Sequence, residues 1–385
     1  MINPKRRIWQ ASEIWKGFDF SMPFSAFLKN HFKQNKKYGK RDRTEIAVVL
    51  YSFLRTGYNS NHLGFEKAAK LGLLLSDSPP EELLKEYDLS ENWKSFDLIE
   101  RIAWCNQEFK IDFYNNFFKK SFELSKGINL SEFVHKVSKQ SPVFIRVLRN
   151  RQEIISALKQ GAFEYEEIDE YSIKLEADAK LHFLPKKLST DFYIQDLASQ
   201  NTIGFIDLEY REKWWDACCG AGGKSLLIKS IRPEIDLMAS DIRKSILTNY
   251  NSRLKQHKYT PKAQLVDLSK CSMSINEVFD GIVIDAPCTG SGTWGRSPEG
   301  IQRIQEAALR NYSTKQKAIC KNAVKNLSHS GKLIYITCSI FKAENENITQ
   351  YLVDDLKLKL IRQGIIHSSN HNSDYLFAAQ FINEK

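Results

Sequence analysis

No apolar run in this 385-residue chain is long enough to span a bilayer, and the amino-terminal Met1-Ile2-Asn3-Pro4-Lys5-Arg6-Arg7-Ile8-Trp9 lacks the apolar centre of a signal peptide. Neither membrane insertion nor export is expected. The seven cysteines are irregularly spaced, with no Cys-x-x-Cys and no Cys/His cluster at zinc spacing. That argues against a secreted disulfide framework and a structural metal, and places the chain in a reducing cytoplasm. His257, His329, His367 and His371 are scattered, and none calls for a metal. There is no internal repeat and no low-complexity tract.

With 42% hydrophobic and 26% charged residues, the composition is that of an ordinary globular protein of two or three domains. The formal charge is +10, and residues 1–60 hold twelve Lys/Arg against four Asp/Glu, or +8 for that segment. A polyanionic partner fits this excess, and so does a solubilising surface. Phe27, Phe32 and Tyr38 interleave with Lys33, Lys36, Lys37, Lys40, Arg41 and Arg43, which suits base stacking with phosphate contact, or core packing beneath a basic surface.

Residues 1–128 read as helical, with apolar positions at mixed three and four spacing, interrupted at Ser78-Pro79-Pro80, where Pro80-Glu81-Glu82 opens a new helix. Residues 129–190 read as a small α+β module, with strand-like Pro142–Val147, helical Glu153–Lys159 and alternation from Phe163 to Leu175. From 191 to 385, strands and helices alternate. The strands are expected at Lys213–Asp216, Leu237–Asp241, Ala263–Asp267, Gly281–Asp285, Lys332–Thr337 and Tyr375–Ile382. That pattern predicts an α/β, Rossmann-like catalytic domain following a helical domain and a small α+β module.

Chemistry collects at the carboxyl ends of those strands. Cys288, in Asp285-Ala286-Pro287-Cys288, and Cys338, in Thr337-Cys338-Ser339, each follow an apolar run and would open onto one crevice. After the first strand, Cys218-Cys219-Gly220-Ala221-Gly222-Gly223-Lys224 makes a glycine-rich turn into a helix, where a ligand can approach the backbone. Its spacing is neither that of a dinucleotide fingerprint nor that of a phosphate loop. Asp216, Asp241, Asp267 and Asp285 close successive strands. Asp241 is placed to accept ribose hydroxyls and Asp267 to reach an adenine amino group, which suits S-adenosylmethionine better than a nicotinamide cofactor.

Taken together, these segments resemble the RNA cytosine-C5 methyltransferase family of the Fmu/Sun type. The resemblance rests on Asp216–Lys224, on Asp285-Ala286-Pro287-Cys288-Thr289-Gly290-Ser291-Gly292, and on Thr337-Cys338-Ser339-Ile340 with Glu344-Asn345-Glu346. Gln195-Asp196-Leu197-Ala198-Ser199-Gln200 and Asp374-Tyr375-Leu376-Phe377-Ala378-Ala379 are similar to the family's segment before the first strand and to its closing strand. The cofactor loop of many members reads Cys-Ala-Ala-Pro-Gly-Gly-Lys, and here Cys219, Gly220 and Ala221 stand at the middle three positions. Tyr375 and Leu376 stand where Gly and Phe are common.

The resemblance implies an S-adenosylmethionine-dependent enzyme acting on RNA, with ribosomal RNA as the first substrate and transfer RNA as the second. It implies Cys338 as the nucleophile at cytosine C6, Cys288 as the group assisting release, Asp285 as the partner of the base edge, and Lys224 in support. Cofactor contacts are expected from Cys218, Cys219, Gly220, Ala221, Gly222, Gly223, Lys224, Asp241, Asp267 and Asp285. Cys105, Cys218, Cys219, Cys271 and Cys320 read as packing or incidental, with Cys218 and Cys219 in the cofactor set only because their backbone lies in the loop. Arg296 suits a phosphate contact or a surface loop, and Trp294 either stacks on RNA or anchors its loop. A monomer without metal is expected, and the competing reading is a non-catalytic RNA-binding or ribosome-assembly factor on the same fold.

Overall fold

The glycine, proline and apolar punctuation of the chain resolves into eleven strands and a set of helices in a computed structural model that describes residues 4–89, 93, 95–119, 121–270 and 275–385. Cys271 lies outside the described residues. The chain forms two compact units, one of 1–122, 129–140 and 293–306, the other of 123–128, 141–292 and 307–385. No helix among the described residues is long and apolar enough to cross a membrane.

The first unit is helical, with Pro4–Trp15, Phe24–Gln34, Lys40–Arg55, Asn59–Leu74, Glu81–Glu86 and Leu98–Phe109. Its centre is an aromatic nest in which Trp15, Phe18, Phe24 and Phe53 meet edge to face, with Ile46, Val49 and Leu50 buried beside them. The unit extends past residue 128, because the helix Leu130–Ser138 buries Phe133, Val134 and Val137, and Phe133 packs against Phe118. Of the interleaved aromatics, Phe32 is core, with the Arg43 guanidinium 6.0 Å from its ring centre. Lys33, Lys36, Lys37 and Lys40 stay exposed around the turn between the second and third helices. Arg7 is spent inside the unit, on Asp42 and Glu45.

The second unit contains two sheets. The smaller is antiparallel, in the order β2-β3-β1-β4, from Val143–Val147 (β1), Tyr165–Glu167 (β2), Ser172–Leu175 (β3) and Phe192–Ile194 (β4). Ile145, Val147, Ile173 and Leu175 pack there on Ile154 and Leu158 of the helix Arg151–Gln160.

The larger sheet has seven strands: Lys213–Asp216 (β5), Asp236–Asp241 (β6), Ala263–Leu265 (β7), Phe279–Asp285 (β8), Leu327–Thr337 (β9), Lys359–Ile366 (β10) and Leu376–Ile382 (β11). Their order is β10-β11-β9-β8-β5-β6-β7, and β11 runs antiparallel to both its neighbours. The central parallel strands are covered on both faces, which is why they read as unbroken apolar runs. Trp215, Ile282, Ile284, Leu333 and Tyr335 enter one core, while Trp214, Val283, Ile334 and Ile336 enter the other. Strand order reverses between β5 and β8, and an open sheet of this kind has its ligand crevice at the carboxyl ends of such strands.

Two short stretches, 123–128 and 340–346, are tied together within this unit. Leu124 bridges Phe341, the Ser125 amide donates to the Ile340 carbonyl, and the Ser125 hydroxyl accepts from Asn345 Nδ2.

Candidate active site

A cavity of about 400 Å³ opens at those strand ends, lined by Cys218, Asp241, Asp267, Asp285 and Cys288, with apolar walls from Ile242, Val266, Leu268 and Ile319. The carboxylates are there because each closes or follows a strand: Asp241 ends β6, Asp285 ends β8, and Asp267 lies two residues past the end of β7. Asp241 is nearly buried and accepts from the Gly220 amide at 3.1 Å and from Arg243 Nε at 3.0 Å. Burial opposes its charge, but the Arg243 contacts and the Gly220 amide outweigh this and hold the carboxyl below its ordinary value. Asp267 is likewise lowered, first by the Ser269 hydroxyl at 2.5 Å.

The glycine-rich turn is arranged differently from a set of open contacts. Gly222 has φ +86°, and a Cβ there would lie 2.9 Å from the Tyr250 ring, so the turn needs glycine both for its torsion and for its packing. Cys219 points into a core with Leu226, Leu247 and Tyr250. The Gly220 amide is spent on Asp241, and Gly222 N on the Cys219 carbonyl. Ala221 passes its carbonyl to Arg253 and Gly223 passes its own to Gln195. Lys224 is buried, with its Nζ 3.0 Å from Asp285 Oδ2 and 2.8 Å from Ser199 Oγ.

Asp216, counted with the strand-end carboxylates, does not line the cavity. It is fully buried and accepts from Ser225 Oγ at 2.6 Å. Burial pushes its carboxyl up to about 7 against that hydrogen bond. Between its ordinary 3.8 and about 7, the folded chain therefore holds a proton that the unfolded chain has released. Its contribution is full at acid pH and is lost as pH rises through 7, at about 1.4 kcal/mol per pH unit within the window. Asp216→Asn is expected to gain on wild type by that slope as pH rises, in thermal unfolding curves from pH 4.5 to 8. A difference constant with pH would show that the carboxyl is not held protonated.

The two cysteine motifs converge. Cys288 Sγ and Cys338 Sγ are 3.3 Å apart, both free and both half-buried. The hydrogen bond to Cys338 comes first, followed by burial and the nearby Glu344 charge, in pushing the Cys288 thiol well above its ordinary value. Gly292 locks the two loops: its amide donates to the Cys338 carbonyl at 2.9 Å, and its own carbonyl accepts from Tyr375 N at 3.1 Å.

Glu344 sits beneath the pair, fully buried. It accepts from Thr289 N at 2.9 Å, Thr289 Oγ1 at 2.6 Å, Ser339 Oγ at 2.5 Å and Gln316 Nε2 at 3.1 Å. Burial raises its carboxyl in spite of these donors.

Sequence reasoning missed several groups at this site. Arg243, Tyr312 and Lys315 line the cavity, and Gln316 reaches the Pro287 carbonyl at 3.0 Å. Only Arg243 left a local trace, two residues after a strand-end aspartate. Of the open alternatives, Trp294 is buried 5.9 Å from Phe118 and 6.4 Å from Phe133, so it anchors its loop, and Arg296 is exposed. Burial raises the thiols of Cys105, Cys218, Cys219 and Cys320, as expected of packing cysteines. Among the described residues no group of His, Cys, Asp and Glu is arranged to hold a metal.

Known proteins are similar to this chain. Residues 204–381 match the family model of the 16S rRNA methyltransferase RsmB/F. The chain is 28% identical over 231 residues to the ribosomal RNA small subunit methyltransferase B of Klebsiella pneumoniae (strain 342), covering 57% of this chain and 53% of that one. It is 26% identical over 272 residues to the protein of the same name from Shewanella oneidensis, covering 66% and 63%. The chain thus spans about half the length of the first of these curated relatives.

Among solved structures, PH0851 superposes with a TM-score of 0.68 at 20% identity over 99% of both chains. NSun6 from Pyrococcus horikoshii, solved with SFG, superposes with a TM-score of 0.61 at 16% identity, covering 71% of this chain and 97% of that one. At such identities the likeness is one of fold alone, a Rossmann-like α/β sheet. The matched segment, residues 204–381, carries both cysteine motifs, the glycine-rich turn and the strand-end carboxylates, and it is through this segment that the chain is similar to the 16S rRNA methyltransferase RsmB/F family.

Proposed function

We propose that this protein transfers a methyl group from S-adenosylmethionine to carbon 5 of a cytosine in ribosomal RNA, as a cytoplasmic monomer. The observation that carries the reading is the pair of thiols 3.3 Å apart, one of which, Cys288, lines a cavity together with Asp241, Asp267 and Asp285.

The cavity suits the cofactor chemically. Asp241 offers acceptors for ribose hydroxyls, Asp267 for an amino group, and Ile242, Val266 and Leu268 offer apolar surface for a base. Cys218 and the backbone of Cys219 to Gly223 shape the turn beside them. When bound, S-adenosylmethionine supplies the electrophilic methyl group.

The remaining steps belong to the protein. Carbon 5 of cytosine is a poor nucleophile until a thiolate adds at C6 and makes it enamine-like, and Cys338 is the thiolate that adds. Asp285, held by Lys224, faces the N3 and amino edge of the base and stabilises charge as it develops. Cys288, kept protonated by its partner and by burial, shares its proton with Cys338 in the resting site. Once the base is methylated and Cys288 has given its own proton to solvent, its thiolate takes the C5 proton, the electron pair of that bond re-forms the C5–C6 double bond, and the C6–sulfur bond breaks to release Cys338 as thiolate.

The target base must leave any helix to reach this site, so it lies in a loop or bulge or is flipped out. Residues 1–128, with exposed Lys33, Lys36, Lys37 and Lys40, and residues 129–190 would hold the flanking RNA.

The test is incubation with labelled S-adenosylmethionine and total RNA from a strain lacking the gene, followed by mapping of 5-methylcytosine. A single modified cytosine in small-subunit ribosomal RNA is the expected result. Label in transfer RNA alone would reassign the substrate, and cofactor binding with no transfer to RNA or to ribosomal particles would favour a binding factor.

A further inference from the structure

Among the described residues, Glu344 is the one fully buried carboxylate that touches both cysteine loops, and the chemistry above gives it no part. Its oxygens divide between the loops. Oε1 takes Thr289 N and Gln316 Nε2, while Oε2 takes Thr289 Oγ1 and Ser339 Oγ. Thr289 directly follows Cys288, and Ser339 directly follows Cys338.

The same cluster is closed on every side. Gln316 also donates to the Pro287 carbonyl, Ile340 N donates to Ser291 Oγ at 2.9 Å, and Tyr335 Oη donates to the Glu344 carbonyl at 2.7 Å. A buried carboxylate is costly unless its lone pairs are filled, and here they are filled by the two segments whose separation determines the thiol–thiol distance.

Resting on the methyl-transfer reading, we infer that Glu344 is a positioning residue that sets the spacing of Cys288 and Cys338 by holding Thr289 and Ser339 on one carboxylate. Its side-chain partners are Thr289, Gln316 and Ser339, and neither thiol is among them. Its effect therefore falls on the covalent steps and not on binding.

Shape and charge can be separated by substitution. Glu344→Gln keeps both terminal atoms: the amide oxygen faces Thr289 N and Gln316, and the two hydroxyls rotate to accept from the amide nitrogen. Glu344→Ala removes the clamp.

The experiment is steady-state methylation by the full chain, with wild type as reference. Glu344→Ala is expected to lower kcat about 100-fold, with KM for RNA and for S-adenosylmethionine within about 3-fold of wild type, because misplacing reacting groups by about 1 Å costs that much. Glu344→Gln is expected to recover to within about 10-fold of wild type.

A kcat near wild type for Glu344→Ala overturns the assignment, as does a loss that appears chiefly in KM. A Glu344→Gln variant as defective as Glu344→Ala also overturns it, by giving the role to charge. If Glu344→Ala does not fold, Thr289→Val and Ser339→Ala each remove one arm and are expected to lower kcat about 10-fold. Normal kcat in both would overturn it equally. A wild-type protein that methylates no RNA fails at the reference, and then the methyl-transfer reading falls and the positioning role with it.

Discussion

Cys288→Ala is expected to accumulate a covalent protein–RNA adduct that survives a denaturing gel, whereas Cys338→Ala is expected to form none. The asymmetry follows from the proposed division of labour between two thiols 3.3 Å apart. Without Cys288, the bond from Cys338 to C6 still forms and the methyl group still arrives, but nothing removes the C5 proton and the adduct persists. Without Cys338, the base is never activated, and methyl transfer is expected to fall by roughly 10⁴-fold or more, the scale on which enzymes lose rate when a nucleophile is deleted. Adducts in the opposite variant would exchange the roles. Adducts in neither, with transfer retained, would remove the covalent route.

The second large effect concerns Gly292. A Cβ at this position would lie 1.8 Å from the Tyr375 carbonyl oxygen and 3.2 Å from the Cys338 carbonyl oxygen, so even alanine forces backbone apart. Overpacking of this kind costs about 3 kcal/mol or more, because backbone cannot step aside as a side chain can. Gly292→Ala is expected to lower the thermal unfolding midpoint and to abolish the adduct in the Cys288→Ala background, since the strand end carrying Cys338 must shift. A Gly292→Ala variant with unchanged stability and normal adduct yield would show that the two loops move independently.

What could be read in the sequence was local. The central strands announced themselves because parallel strands buried on both faces are unbroken apolar runs, and the thiols because each sits in a short fixed motif after such a run. Strand β10, Lys359–Ile366, escaped notice because it is an edge strand carrying Arg362 and Gln363, half-exposed and without an apolar run. Strand β4 is three residues long and gains its meaning only by pairing with β1 across more than forty residues.

The site divides in the same way. Asp241, Asp267 and Asp285 were visible as strand ends, but the hydrogen bonds of Glu344 reach back 55 residues to Thr289 and 28 to Gln316, and no local pattern encodes such partners. Asp216 looked equivalent to the other strand-end carboxylates. Only burial, which a sequence does not display, separates it from them.

The strap of residues 123–128 has a consequence for how this protein can be divided. The chain leaves the helical unit at 122, lays six residues against the segment that follows Cys338, and returns to the helical unit at 129 before entering the remainder of the second unit at 141. A further excursion, 293–306, lies between the two cysteine motifs. No single cut separates the units: a fragment begun at 141 keeps both thiols but strips Asn345 of Ser125 and Phe341 of its bridge to Leu124. A boundary drawn at that point in the sequence would thus excise the bridge partner of the segment that follows Cys338.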